Sequence, residues 1–221
     1  MTNCRFSDNT ANYNGGGMAN DYSNLTVTNC TFTGNTASST TWGGGGMLNA
    51  SSSPTLTNCT FVGNTAVSAS GGAIRNWDSD PIVTNCILWY NLPDQISSEF
   101  CTPTVTYNDV EGGHAGTGNI DANPEFVDAN GDNLHLLSES PCIDAVDSTA
   151  VPSCIFVDLD GNPRGVDAPA TPDTGISVLG VTVDMGAYEF QPCPIDGDIN
   201  CDGKVDLKDF AILAGNWLEG V

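Results

Sequence analysis

The chain is short of positive charge. Its 221 residues contain 27 Asp and Glu side chains against five Lys and Arg, which gives a formal net charge of −22 at pH 7. A nucleic-acid partner needs a basic surface that neutralises phosphates, so this balance argues against one. Carboxylates in such excess suit a calcium-rich, salty exterior better than the cytosol. The composition therefore favours an extracellular or cell-surface protein.

Long apolar runs, a leader peptide and zinc motifs are also missing. No apolar stretch is long enough to span a bilayer, so no transmembrane segment is predicted. The chain has no C-x-x-C motif, and His114 and His135 are its two histidines, which argues against a zinc site. Met1 aligns with Val27, halfway through a repeat. We therefore expect the chain to be the C-terminal part of a longer secreted protein whose leader and earlier repeats are missing.

A repeat dominates the first half of the chain. Each copy contains G-G-[GA]-[MI]-x-N, then an alternating strand, then N-C-x-[FL]-x-x-N. The glycine runs begin at Gly15, Gly44 and Gly71. The cysteines of the second element are Cys4, Cys30, Cys59 and Cys86. Successive cysteines are 26, 29 and 27 residues apart, whereas each glycine run lies 15 residues before its cysteine. Only the loop before the glycines changes length, which is typical of a parallel β-helix rung with one variable corner.

Period-two segments predict which side chains face the core. Val27 and its equivalents Leu56 and Val83 should point inward, as should Cys30 and Phe32 with their equivalents. The asparagine after each strand is suited to a corner, because asparagine tolerates left-handed backbone angles and its amide can bond to the next rung. A small thiol packs well in such a core, so we favour reduced cysteines in the repeats over disulfides.

These repeats resemble those of polymorphic outer-membrane proteins, which carry G-G-A-[ILV] and F-x-x-N, and more broadly the right-handed parallel β-helix superfamily. The resemblance covers residues 1 to about 110. It implies an all-β fold, a right-handed parallel β-helix or solenoid, with residues 1–110 as the repeat domain.

The C-terminal segment, residues 193–221, predicts a calcium site. Oxygen ligands fall at positions 1, 3, 5, 9 and 12 of a twelve-residue loop, a lysine offers its carbonyl at position 7, and Gly203 sits at the sharp turn. The predicted ligands are Asp198, Asn200, Asp202, Lys204, Asp206 and Asp209. An apolar stripe from Leu207 to Trp217 follows with helical spacing. This segment resembles one half of a type I dockerin, which implies a calcium cofactor, a short α-helix and a cohesin-like or cell-surface protein partner.

Residues 111–192 are predicted to form terminal coils and a cap. The sequences at 158–164 and 183–190 resemble the close of a choice-of-anchor Q domain, which implies an end to the solenoid before a sorting or anchoring element. Arg164 is expected to pair with Asp184 or Glu189. The disulfide candidates outside the repeats are Cys142 with Cys154 and Cys193 with Cys201. Two further Asp/Asn clusters, at 128–132 and 158–162, are explained as well by Asx turns as by calcium loops.

No catalytic residues are predicted, because the repeat faces show neither a basic group nor clustered aspartates in equivalent rung positions. They offer threonines, including Thr26, Thr28, Thr55, Thr57 and Thr84, beside aromatic side chains suited to stacking on sugar rings. The glycan-binding candidates are Tyr13, Tyr22, Trp42 and Trp77. The alternative is that threonine simply favours outer strand positions and that the rings cover loop edges.

We therefore expect a secreted or cell-surface bacterial β-helix module, structural or adhesive, that contacts a polysaccharide or protein and carries a calcium-dependent docking or sorting segment. The alternative function is the C-terminal fragment of a polysaccharide-degrading enzyme, a lyase or glycoside hydrolase, whose catalytic coils lie upstream.

Overall fold

A computed structural model describes residues 1–38, 41–67, 70–130, 133–168, 171–178, 180 and 182–192. The chain divides into two compact units, Met1–Phe190 and Gln191–Val221. The predicted calcium loop and the helix after it lie outside the described residues. The regular secondary structure of the first unit is almost entirely β-strand, with a single short 3-10 helix, Ser148–Ala150, in the part of it that is described.

Parallel strands stack into three main sheets, each built from one strand per coil. The phenylalanine sheet consists of β1 (Arg5–Ser7), β5 (Thr31–Thr33), β9 (Thr60–Val62), β13 (Ile87–Trp89) and β16 (Asp109–Val110). The glycine sheet consists of β3 (Met18–Asp21), β7 (Met47–Ala50), β11 (Ile74–Trp77) and β14 (Ile96–Glu99). The threonine sheet consists of β4 (Thr26–Thr28), β8 (Thr55–Thr57), β12 (Ile82–Thr84) and β15 (Thr104–Thr106).

Two smaller sheets complete the strands. A parallel ribbon of β2 (Thr10–Ala11), β6 (Thr36–Ala37) and β10 (Thr65–Ala66) forms the corner before the variable loop. An antiparallel pair, β17 (Phe126–Asp128) and β18 (Asn133–Leu136), follows the coils. The structure confirms the parallel β-solenoid that the repeats predict. The solenoid has about three turns.

The core consists of columns of equivalent side chains. Val27 aligns with Leu56 in the threonine sheet, and Phe32 aligns with Phe61 in the phenylalanine sheet. All four are fully buried, together with Cys30 and Cys59. The rings of Phe6, Phe32 and Phe61 stack with centroid distances of 4.7 and 4.5 Å, close to the spacing of about 4.8 Å between paired strands. The predicted inward columns are thus confirmed.

Asparagine amides form buried ladders along the coils. The Nδ2 of Asn35 donates to Oδ1 of Asn64 at 2.9 Å, and the Nδ2 of Asn64 donates to Oδ1 of Asn91 at 2.8 Å. A second ladder joins Asn49 to Asn76 at 2.9 Å. Each Oδ1 of the first ladder also accepts the backbone N–H of the residue stacked on it. These bonds satisfy buried backbone groups that the corners would otherwise leave unpaired.

A third asparagine column faces away from the coils. Asn29, Asn58 and Asn85 have φ near +50°, as predicted for corners. Their Nδ2 groups do not bond to the next rung; they donate to the carbonyls of Val157, Asp184 and Asp147 at 2.8–3.0 Å. The acceptors belong to the segment that follows the coils, so this column attaches that segment to the solenoid.

The segment after β17 covers one side of the coils. We call its described residues from Leu134 to Phe190 the outer layer. Outward side chains of the phenylalanine sheet, Val62, Ile87 and Trp89, form a second apolar cluster with the outer layer. The principal outer-layer members are Leu134, Leu136, Cys142, Ile143, Val146, Val183, Met185, Ala187 and Tyr188. The phenylalanine sheet is therefore buried on both faces.

The thiols of the described residues are free. Cys4, Cys30, Cys59 and Cys86 form an unbridged column, as favoured from the sequence. The candidate disulfide between Cys142 and Cys154 is wrong: Cys142 is buried and donates to Oδ2 of Asp109 at 3.2 Å, whereas Cys154 is exposed. The other candidate, Cys193 with Cys201, lies outside the described residues.

Candidate functional site

The outer face of the glycine sheet carries a group of aromatic and charged side chains that lie close together. Because Ile74 belongs to the core, alternation places Arg75 on the outer face. Arg75 aligns with Leu48 of one neighbouring strand and Ser97 of the other. The next outward position along each strand holds Ala50, Trp77 and Glu99. Arg75 and Leu48 are buried although they face outward, so neighbouring groups cover this part of the sheet.

Three aromatic rings meet at one end of this face. The ring of Trp77 lies 5.1 Å from that of Trp42 and 5.0 Å from that of Phe100, both in edge-on geometry. Phe100 is 74% exposed, and the two tryptophans are partly exposed. We call Trp42, Trp77 and Phe100 the aromatic cluster. It presents ring surface to solvent in a fixed arrangement, as a site for flat apolar ligand faces requires.

Polar groups are held beside the aromatic cluster. Arg75 donates from Nη1 to Oγ of Ser97 at 2.7 Å and from Nη2 to Oε2 of Glu99 at 2.6 Å. Its guanidinium carbon lies 5.8 Å from the centre of the Trp77 ring. The buried Nε of Arg75 has no hydrogen-bond partner within the described chain. The site thus combines aromatic surface with an exposed carboxylate on Glu99, which the buried Arg75 holds in place. Aromatic rings and carboxylates are groups that bind sugar faces and hydroxyls.

The four sequence-predicted aromatic residues separate into two groups. The structure brings Trp42 and Trp77 together. Tyr13 and Tyr22 are 78% and 82% exposed, and neither makes a ring contact in the part of the chain that the structure describes. Phe100 was missed because β14 lies in a coil without the repeat motif. Its position follows from register, since Ile96 aligns with Ile74 and places Phe100 directly after the Trp77 row.

The threonine array is largely unavailable. Thr28, Thr57 and Thr84 are buried, so the expected continuous row of hydroxyls does not reach solvent on that side of the sheet. Each of these residues precedes a member of the asparagine column that binds the outer layer. In the other row, Ile82 lies between Thr55 and Thr104 and interrupts the threonine ladder, which continues from Thr55 to Thr26.

A second polar group joins the first coil to the outer layer. Asp160 forms an ion pair with Arg5, and its Oδ2 lies 2.8 Å from Nε2 of His135. Nδ1 of His135 lies 2.6 Å from Oδ1 of Asn133, and its ring contacts that of Tyr188 at 4.4 Å. Since both ring nitrogens of His135 already face oxygen atoms, neither is free to take a proton from a substrate. These contacts attach the outer layer to the first coil and have a structural role.

The two motifs at 158–164 and 183–190 form one buried charged unit. Arg164 pairs with Glu189 at 3.3 Å, as one of its two predicted partners. Glu189 also accepts the backbone N–H groups of Gly165, Val166 and Asp184. Burial raises the pKa of the Glu189 carboxyl and lowers the pKa of the Arg164 guanidinium, while their mutual attraction opposes both shifts. The Arg164 and Glu189 side chains are 2% and 0% exposed, so this pair is enclosed and cannot reach a ligand.

The predicted tail ligands Asp198, Asn200, Asp202, Lys204, Asp206 and Asp209 all lie outside the described residues. For the cluster at 158–162, the structure gives an Asx turn: Oδ1 of Asp158 accepts the backbone N–H groups of Asp160 and Asn162 at 2.9 and 2.8 Å. Oδ2 of Asp158 accepts the N–H of Glu189. Its carboxylate is therefore committed to the backbone.

Comparison of the sequence with known protein families identifies the coils. A family model described as "Right handed beta helix region" matches residues 1–133, more than half of the chain. The chain matches no curated protein and no solved structure. Within the described residues, no helix has the length and apolar character needed to cross a membrane.

Proposed function

The chain belongs to the right-handed β-helix family, and we propose that it is a secreted or cell-surface adhesive module that binds glycans through the aromatic cluster. One observation carries the proposal: Trp77 is held between Trp42 and Phe100 on the outer face of the glycine sheet, next to the Arg75–Glu99 pair. Rigid rings beside charged hydrogen-bonding groups fit sugars, whose faces are apolar and whose edges carry hydroxyls.

The charge of the chain narrows the ligand class. With a formal net charge of −22, the protein would repel acidic polysaccharides over long distances. The charged groups at the site, Arg75 and Glu99, also neutralise one another. Neutral polysaccharides are therefore the favoured ligands.

Affinity electrophoresis in gels that contain neutral plant or microbial polysaccharides tests this function. We expect at least one polysaccharide to retard the protein, and Trp77→Ala to weaken that retardation at least tenfold. Phe156→Ala is the matched control, because Phe156 is an exposed aromatic residue of the outer layer. The absence of retardation in every gel, or equal retardation of the Trp77→Ala protein with its fold intact by circular dichroism, would rule out the site.

The calcium-dependent tail is a separate part of the proposal and rests on the ligand pattern from Asp198 to Asp209. Crowded carboxylates repel one another without a cation, so calcium should order this loop and start the helix after it. A dockerin-like segment of this kind would then dock on a cohesin-like or cell-surface protein. Calorimetry should show calcium binding that Asp198→Ala with Asp209→Ala reduces by one site per chain. An unchanged stoichiometry would remove the tail from the proposal.

A further inference from the structure

Three carboxylates of the outer layer converge away from the aromatic cluster and from the tail. Asp144, Asp167 and Asp173 each offer one oxygen, and these three oxygens all lie within 4.8 Å of one another. Asp144 is buried, whereas Asp167 and Asp173 are exposed. No ion pair of the described residues involves any of the three. Three negative charges are therefore gathered without a basic partner in this part of the chain.

The buried carboxylate has an unused oxygen. Asp144 is fully buried, and its Oδ2 accepts the backbone N–H of Ala168 at 3.2 Å. Its Oδ1 is also buried and has no hydrogen-bond partner among the described residues. A buried, unpaired carboxylate oxygen costs free energy unless something satisfies it. A cation shared with Asp167 and Asp173 would satisfy the Asp144 oxygen. The buried position of Asp144 distinguishes this group from a cluster of acidic side chains that all lie on the surface.

The backbone holds Asp144 rigidly. Its N–H donates to Oδ1 of Asp184 at 2.9 Å, and its carbonyl accepts the N–H groups of Thr174 and Gly175 at 3.1 and 3.0 Å. These bonds fix the segment after Asp173 against Asp144. The carboxylates are thus held close together in advance, and no basic side chain of the described residues pairs with them.

We propose that Asp144, Asp167 and Asp173 bind a calcium ion that ties Asp167 and Asp173 to the buried Asp144 within the outer layer. Calcium binds carboxylate oxygens at about 2.3–2.6 Å. Two ligands of one ion are therefore at most about 5.2 Å apart, and three oxygens within 4.8 Å of one another satisfy this limit. Water molecules would complete the shell on the exposed side. The site is independent of the proposed glycan-binding function and of the tail loop.

Calcium titration of the full chain carrying Asp198→Ala and Asp209→Ala tests the proposal, because this background removes the tail loop. Calorimetry should show one calcium per chain. At one hundred times the dissociation constant, calcium should raise the midpoint of thermal unfolding by roughly 5–10 °C relative to protein in EDTA. A background protein that shows neither heat of binding nor a shifted midpoint would overturn the proposal.

Two variants in that background locate the ion. Asp167→Asn with Asp173→Asn should weaken calcium binding more than tenfold and abolish the thermal shift, while leaving the midpoint in EDTA equal or higher because the mutual repulsion is relieved. Asp21→Asn with Glu139→Gln removes two exposed carboxylates elsewhere and should leave calcium binding unchanged. Binding that survives the Asp167 and Asp173 substitutions would place the ion elsewhere and refute this site.

Discussion

The coils and the outer layer bury polar groups in different ways. In the coils, the side-chain amides of Asn35, Asn64 and Asn91 form hydrogen bonds with one another. Each amide therefore bonds to the equivalent asparagine of a neighbouring rung. In the outer layer, Glu189 pairs with Arg164 and accepts three backbone N–H groups, and these contacts are not repeated elsewhere in the part of the chain that the structure describes. A repeated contact is partly replaced by its neighbours when one copy is lost. A singular contact has no substitute, so the outer layer should be the more fragile region.

Glu189→Ala should give the largest loss of stability. It leaves the buried guanidinium of Arg164 without its anion and orphans several backbone donors, so we expect a loss of about 3–5 kcal/mol in the free energy of unfolding. Urea unfolding followed by circular dichroism measures it. The control is Glu99→Ala, which removes the half-exposed partner of Arg75 in the coils and should cost about 1 kcal/mol or less. Equal losses would contradict the contrast between the two regions.

Asn64→Ala tests the coils. Asn64 donates to the carbonyl of Phe32 and accepts the backbone N–H of Asn35, so its loss strands buried groups at a cost of about 2–3 kcal/mol. Asn12→Ala, at an exposed loop position, should change stability by no more than about 0.5 kcal/mol. Thermal melting of both variants decides the matter. Similar shifts for Asn64→Ala and Asn12→Ala would remove the ladder from the account of stability.

Asp109, where the coils contact the outer layer, should make the stability of the fold depend on pH. Burial raises the pKa of Asp109 to about 7, with smaller contributions from Asp121 and Glu111, and the Cys142 thiol donates to it. Between about pH 4 and 7 the folded chain keeps a proton that the unfolded chain has released, so stability falls as pH rises. Asp109→Asn should reduce this slope by about 1.4 kcal/mol per pH unit.

Urea unfolding at pH 4.5, 5.5 and 6.5 measures that slope, and Asp121→Asn is the control because Asp121 is the exposed neighbour of Asp109. The other buried carboxyls with raised pKa values, Asp144, Asp184 and Glu189, remain in the Asp109→Asn protein and keep their own contribution. Parallel pH profiles for the original chain and Asp109→Asn would show that Asp109 does not titrate in this range.

Asn85→Gly should give the smallest effect. Glycine accepts the positive φ of this corner, so the substitution removes the two hydrogen bonds between the Asn85 side chain and Asp147, and a longer one from the Thr84 hydroxyl, without straining the backbone. We expect a loss of about 1 kcal/mol. Asn3→Gly, at the exposed first position of the same corner column, controls for the backbone change. Hydrogen exchange should show faster opening near Asp147 in the Asn85→Gly protein. Unchanged exchange there would mean that the column does not hold the outer layer.

The coils could be predicted because their information is local and repeated. Each of Cys30, Phe32 and Asn35 has a copy at a fixed place in the next rung, so strand register, inward faces and corners follow from spacing alone. The aromatic cluster was found only in part, because Phe100 lies where the motif has decayed and only strand register identifies its place.

The outer layer could not be predicted in the same way. Its segments have no internal repeat, and nothing in the spacing of Cys142 and Cys154 shows that one thiol turns inward to Asp109. The burial of Thr28, Thr57 and Thr84 likewise depends on the outer layer, whose contacts with the adjacent asparagines span 62 to 128 residues of sequence. Long-range docking of irregular segments leaves no periodic pattern for sequence analysis to detect.

The outward asparagine column has a consequence for how such a protein evolves. Asn29, Asn58 and Asn85 are equivalent hydrogen-bonding positions spaced one rung apart, so the outer layer binds to a series of identical side chains. These amides alone would let the layer shift by one rung after a coil was duplicated or deleted. Its position is set instead by contacts that lack equivalents, such as the close approach of Gly186 to Ile87, whose partners in the neighbouring coils are Thr60 and Asp109. Coil number can therefore change by recombination on either side of these contacts while the layer keeps its place.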